Sequence, residues 1–191
     1  MPMETKLNGY TLKIIPDENP LNPRTDCDHL GIMLCWHRRY SLGDSHPYDT
    51  PQDFVESAAA KDVFVCLPVY LLDHSGLYVS VNDFHDPWDS GQLGFIYCTK
   101  KDAQKWFDNP DVTEDEIKKE LTAEVEEYND YLNGAWYGFC IEGLDGEVED
   151  SCGGFRYSGS VKELANEMKS YVSDKYYALF DEFAANNSAY M

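Results

Sequence analysis

Residues 63–81, VFVCLPVYLLDHSGLYVSV, decide how this chain folds. Residues 63–72 form a run of β-branched, aromatic and other apolar side chains, and residues 77–81 form a second, shorter run. Only Asp73-His74-Ser75-Gly76 stands between them, and such residues close turns by bonding their own backbone or by tolerating unusual dihedrals. Two strand-like runs joined this tightly lie antiparallel, because a parallel return needs a crossover of a dozen or more residues. The stretch is a β-hairpin.

The same pattern recurs further along. Residues 136–142 and 147–152 make a second hairpin across Leu144-Asp145-Gly146, and single strands are expected at 10–15, 30–36 and 93–98. Helices announce themselves by their caps. Thr50-Pro51-Gln52-Asp53 opens one that runs to about residue 60, and Thr99 caps a short one over 100–107. Thr113-Glu114-Asp115-Glu116 is a capping box. Beyond it Ile117, Leu121, Val125, Tyr128 and Leu132 recur at helical spacing as a core-facing stripe, and Gly134 ends the helix. A further capping box, Ser160-Val161-Lys162-Glu163, opens a last helix that places Leu164, Met168, Tyr171, Val172, Leu179 and Phe183 mostly on one face. Strands come in hairpins and do not alternate strictly with helices. The expected class is therefore α+β, a largely antiparallel sheet of hairpins with three to four helices packed on it, in a single domain over 1–191.

Composition narrows the function classes. A chain of 191 residues with 43% hydrophobic and 14% aromatic residues can bury a core, so disorder is excluded despite a net charge of −20. No apolar run approaches the ~20 residues that span a bilayer. The start, Met1-Pro2-Met3-Glu4-Thr5-Lys6, lacks the apolar segment of a secretory signal, so a cytoplasmic protein with no membrane partner is expected. Six cysteines without a CxxC pair read as free thiols, with Cys66, Cys98 and Cys140 inside apolar strand runs and hence in the core.

The charge is not spread evenly. Residues 108–150 hold fifteen Asp or Glu against Lys118 and Lys119, while residues 1–40 are neutral. Direct binding of nucleic acid is disfavoured, since His37-Arg38-Arg39-Tyr40 is the one basic cluster and its arginines can pair with the acidic excess. Imitation of nucleic acid is the better fit. Carboxylates at i, i+4 on a helix repeat every ~6 Å, on the scale of a phosphate backbone. Glu114, Glu116, Glu120, Glu124 and Glu127 are placed on such a face, and Glu142, Asp145, Glu147 and Glu149 add acids from the second hairpin. Tyr128, Tyr131 and Trp136 are the aromatic anchors beside them. An ordinary solvated helix face mixes lysines among its glutamates, and this one mostly does not.

Three other constellations carry possible chemistry. His74, oriented by Asp73 or Asp89 with Asp86 close by, has the makings of a hydrolase base, although the same residues serve as turn formers. Cys152 beside Gly153 and Gly154 is a weaker nucleophile candidate in an acidic neighbourhood. The groups Asp26/Asp28/His29/His37 and Asp83/His85/Asp86/Asp89 match neither a zinc signature nor an EF-hand loop, so neither a metal nor any other cofactor is expected.

Residues 22–44, NPRTDCDHLGIMLCWHRRYSLGD, resemble the opening of a protein family common in bacteriophages and integrated mobile elements. The segments LLDHSG (71–76), PWDSGQLGFIY (87–97), EEYNDYLNGAWYG (126–138) and DSCGGF (150–155) resemble the same family, which thus covers about residues 20–155. The resemblance implies a phage or prophage origin and a compact core over 20–155, with the helix of 156–191 packed on it. It carries over no catalytic residues. By analogy with small acidic anti-restriction and anti-CRISPR proteins, the expected function is inhibition of a bacterial nucleic-acid-targeting defence protein, a CRISPR effector or a restriction enzyme. The inhibitor would act as a monomer or homodimer in the host cytoplasm. The alternatives are a small hydrolase using the His74, Asp86 and Asp89 loops, or a non-catalytic phage interaction module.

Overall fold

The computed structural model describes residues 3–157 and 159–187. In chain order these form β1 (Met3–Leu7), β2 (Tyr10–Pro16), β3 (Ile32–Cys35), α1 (Pro51–Val55), β4 (Val63–Asp73), β5 (Leu77–Ser80), β6 (Ser90–Thr99), α2 (Lys100–Trp106), α3 (Glu114–Leu132), β7 (Trp136–Glu142), β8 (Val148–Arg156), α4 (Val161–Lys169) and α5 (Tyr177–Asn186). The fold is α+β, with two four-stranded antiparallel sheets. Both hairpins read from the sequence are present. β4 and β5 pair with Leu71 opposite Val79, closed by the His74 N–H donating to the Gly76 carbonyl at 3.1 Å, and β7 pairs with β8. A third hairpin, β1–β2, was not anticipated. It turns on Asn8 and Gly9, both at positive φ (52° and 85°), the geometry that an Asn-Gly pair supplies at least cost.

Contacts divide the chain into two compact units. A terminal unit joins the residues up to 21 with those from 134 onward, and an inserted unit spans Asn22–Asn133. The division follows strand pairing. β2 pairs with β7, Leu12 opposite Ile141 and Ile14 opposite Phe139, so one sheet unites strands far apart in sequence in the order β1-β2-β7-β8. Its buried face, with Leu12, Ile14, Phe139 and Ile141, packs against Leu164, Met168, Phe180 and Phe183 of α4 and α5. The expected single C-terminal helix is two helices. The Ser170 hydroxyl donates to the Glu167 carbonyl at 2.7 Å, a local bond that competes with helix continuation, and the extended backbone of Ser173 completes the break.

In the inserted unit the sheet order is β3-β6-β4-β5. One face carries Val65, Val69, Val79 and Ile96 against Ile117, Leu121, Val125 and Tyr128 of α3, the stripe expected from spacing. The other face carries Leu34 and Tyr97 against Phe54 of α1. α1 ends at Val55 rather than near residue 60, and the Ser57 hydroxyl accepts the Ala60 N–H to start a separate 3-10 turn. Cys98 is buried as expected and Cys140 partly so, whereas Cys66 points to the opposite pleat from Val65 and is exposed. Gly94 of β6 pairs with Cys35 of β3. A Cβ there would lie 1.9 Å from the Leu34 carbonyl oxygen.

A charged cluster locks α3 to this unit. The Arg24 side chain is 1% exposed and Glu124 8%. Arg24 donates from Nε and Nη2 to the two Asp44 carboxylate oxygens (2.9 and 2.6 Å), from Nη2 to the Gly31 carbonyl (2.6 Å) and from Nη1 to Glu124 Oε2 (2.8 Å). Glu124 also accepts the Leu30 and Gly31 N–H groups (2.7 and 3.0 Å), and Asp44 accepts that of Met33 (2.7 Å). Burial alone would lower the guanidinium pKa, but the Asp44 and Glu124 carboxylates outweigh it and raise it, so the cation is secure. Removing one member strands a buried charge, so Arg24→Ala or Glu124→Ala should cost about 3–5 kcal/mol in urea unfolding. The exposed control Glu126→Gln should stay within about 0.5 kcal/mol of the parent. Arg24→Lys should not restore the loss, because an ammonium cannot supply the planar paired donors.

Candidate functional site

The acidic face expected on α3 is present but differently composed. Glu114 and Asp115 are exposed beside Lys118 (3.5 and 4.0 Å). Glu116 is exposed and serves the helix cap: its carboxylate accepts the Thr113 N–H (2.9 Å) and hydroxyl (2.7 Å), which hold its pKa below the ordinary value. Glu120 is half-buried and accepts the Trp106 indole N–H at 3.1 Å. Glu127 is half-buried, and the neighbouring Glu126, which the sequence stripe passed over, is exposed.

Two expected contact residues lie inside. Glu124 belongs to the Arg24 cluster and presents nothing to a partner. Tyr128 is 3% exposed, and its hydroxyl accepts the Gly43 N–H at 3.1 Å. Tyr131 is half-buried and stacks on Tyr128 with ring centroids 6.2 Å apart. The sequence held the signal for Glu124. It falls seven residues after Ile117 and four before Tyr128, within the apolar stripe, where a carboxylate requires a buried cation. That cation, Arg24, and its second partner Asp44 were missed because no local spacing links residues 20 and 100 positions apart.

The hairpin acids belong to the terminal unit. Glu142 on β7 pairs with Lys13 on β2, and Asp145 caps the β7–β8 turn by accepting the Glu147 N–H at 3.2 Å. Glu147 is exposed. Glu149 accepts the Tyr176 hydroxyl (2.7 Å) and the Lys175 ammonium (3.0 Å), and these bonds lower its pKa. Trp136 starts β7, with its indole nitrogen buried and without a hydrogen-bond partner. Cys152 lies on β8 against the terminal core. The acids of 114–150 are therefore two sets on two units. The α3 set is the less neutralised.

The hydrolase candidates separate into structural and open groups. The Asp86 carboxylate accepts the Trp88 and Asp89 N–H groups (both 2.8 Å), and the Ser90 hydroxyl donates to the Asp86 carbonyl (2.7 Å), so both are spent on the turn. Asp73 pairs with Arg39. His74 is exposed, and its Nδ1–H donates to Asp89 Oδ2 at 2.7 Å. Among the described residues no group of three or more His, Cys, Asp or Glu is arranged to hold a metal ion.

No family model, curated protein or solved structure matches the chain. Among the described residues no helix is long and apolar enough to cross a membrane.

The His74–Asp89 bond favours the imidazolium and raises the His74 pKa. The pair thus contributes fully below the ~6.5 of free imidazole and fades as pH climbs through the higher folded value. In an NMR titration the His74 midpoint should lie above ~6.5, and Asp89→Asn should bring it down toward that value. An unchanged midpoint in the variant would show that Asp89 does not set the proton affinity.

Proposed function

We propose that the protein is a phage-encoded acidic inhibitor of a bacterial nucleic-acid-targeting defence protein, a CRISPR effector or a restriction enzyme. It acts by occupying a basic groove built for nucleic acid. One observation carries this reading: α3 holds Glu114, Asp115, Glu116, Glu120, Glu126 and Glu127 outside the core, with only Lys118 and Lys119 among them, in a chain of net charge −20. The helix is capped at its start and held by Glu124 in its middle, so these carboxylates sit on a backbone already fixed in space. A groove that binds phosphates meets a fixed row of negative charge, gains from release of its own counter-ions, and loses that gain as salt rises. Two features distinguish this surface from the one inferred from spacing. Glu124 and Tyr128 take no part in it, and the acids of 142–149 stand on the terminal unit.

The test is DNA cleavage by a panel of purified CRISPR effectors and restriction endonucleases, with and without the protein. The expected result is inhibition of at least one enzyme, relieved by rising salt and abolished by the triple variant Glu120→Lys/Glu126→Lys/Glu127→Lys, which leaves cap and buried cluster intact. Full inhibition by the correctly folded triple variant, or none by the parent across the panel, would sink the proposal.

A further inference from the structure

The inserted unit contains a second feature that the acidic face does not use, a cleft of about 250 Å³ whose lining includes Asp73 and Asp89. Three separate stretches of chain build it: the segment leaving β3, the end of β4 and the segment entering β6. Their backbones are stitched together at the cleft. The Trp36 N–H donates to the Leu93 carbonyl at 2.9 Å, the Asp73 N–H to the Asp89 carbonyl at 2.9 Å, and β4 pairs with β6 up to Leu72 opposite Ser90. The walls therefore exist before any ligand arrives.

The polar groups on those walls are held in fixed states. His37 Nδ1 accepts the Arg39 and Tyr40 N–H groups (both 3.3 Å), so its proton resides on Nε2, and its ring lies flat on Tyr40 with centroids 4.9 Å apart. Arg39 pairs with Asp73 and lies over the Tyr40 ring, which leaves donors of its guanidinium unspent. Asp89 receives the His74 proton on one oxygen only. The Trp36 indole N–H is tied to the Tyr48 carbonyl at 3.0 Å.

Two further observations point to an occupant. Trp88, at the rim, is 90% exposed, although the turn that carries it is pinned by Asp86. Its backbone is fixed and its indole lies in water at the edge of the cleft, where a bound ring can stack on it. Gly91 lines the cleft, its φ lies outside the left-handed region, and a Cβ there would meet nothing within 4 Å. Neither backbone conformation nor packing calls for glycine at this position. What its missing side chain does is keep the cleft open.

The electrostatics select the ligand. Asp73 and Asp89 repel a phosphate or carboxylate, and Arg39 repels a free cation. Each carboxylate already has a basic partner, so the cleft is polar yet close to charge-balanced. It offers both donors (Arg39, His37 Nε2–H, the Gln92 amide) and acceptors (Asp73, Asp89) beside an aromatic plane. At about 250 Å³ it falls just below the ~300–1,000 Å³ of drug-sized sites and has room for one ring. A ring with hydroxyls on its edge and C–H groups on its face meets all of these conditions. We propose that this cleft binds an uncharged sugar residue, free or at the end of a glycan, with its face on Trp88 and its hydroxyls shared between Arg39, Asp73 and Asp89.

The experiment titrates the intact protein with neutral sugars (glucose, galactose, mannose and N-acetylglucosamine, then their oligomers), following tryptophan fluorescence and saturation-transfer NMR. Uridine, glucose 6-phosphate and an arginine-containing peptide serve as probes of the other chemistries. The expected result is saturable binding of at least one neutral sugar, weakened at least about tenfold by Trp88→Ala, the scale of losing an aromatic anchor. Gly91→Val should weaken it similarly while leaving the thermal unfolding of the protein unchanged. The triple α3 variant should bind sugar normally, so failure here and failure of the inhibitor reading are told apart. Absence of saturable sugar binding would overturn the proposal, as would binding that survives both Trp88→Ala and Gly91→Val, or preference for the nucleoside, the phosphate or the peptide.

Discussion

The Arg24–Asp44–Glu124 cluster is the constraint on which the inserted unit turns. A buried ion cluster is weak evidence of net stability, since desolvation can cancel the attraction. What this one fixes is position. Glu124 is met by one guanidinium nitrogen and by two consecutive backbone amides, Leu30 and Gly31, so α3 cannot slide or rotate against the segment leading into β3 without stranding a carboxylate. Asp44 closes the circuit by bonding both Arg24 and the Met33 amide of β3. Helix, edge strand and two loops thus share one set of hydrogen bonds, and the division of α3 into a core-facing stripe and an outward face follows from it. The open carboxylates and the buried one are two halves of the same arrangement.

The cluster also shapes the protein's field. Cations are few, and the structure spends them one at a time: Lys13 on Glu142, Arg39 on Asp73, Lys169 on Asp181 and Lys175 on Glu149. Most of these pairs are exposed and each is worth little to stability. Their effect is spatial, because where a cation has been used the potential is locally quenched. On α3 beyond Lys118 and Lys119 little of that quenching occurs, and negative potential accumulates there. The cleft near Trp88 is the opposite case, a balanced polar surface inside a strongly acidic chain.

How far this could be read from the sequence depended on the range of the interaction. Caps and turns are local, and Thr113 with Glu116, or Asp73 to Gly76, meant in isolation what they mean in the fold. The α3 stripe from Ile117 to Tyr128 was equally legible, because 3.6-residue periodicity survives any tertiary context. Glu124 was misplaced by the same logic: a carboxylate was assigned to water by its type although its position lay within the stripe. The Asn8-Gly9 turn was a missed local signal. The division into units was not legible locally, since it rests on β2 finding β7 across more than a hundred residues. The cleft near Trp88 was visible only as three unconnected motifs, and sheet pairing alone brings them to one place.

That long-range pairing has a consequence for synthesis. During synthesis β1 and β2 emerge before β7, and the two-residue turn between them favours their local pairing. The other edge of β2 has no partner until β7 emerges, after the whole of the inserted unit has appeared and had time to fold. Through that interval β2 is a bare strand edge of the kind that recruits neighbouring chains. It carries its own protection. Pro16 ends the strand without an amide hydrogen to offer, and Lys13 sits at its centre as a charge that resists stacking until Glu142 arrives to pair with it. The lysine that guards the nascent edge is, in the finished sheet, paired with Glu142 of the strand that covers it.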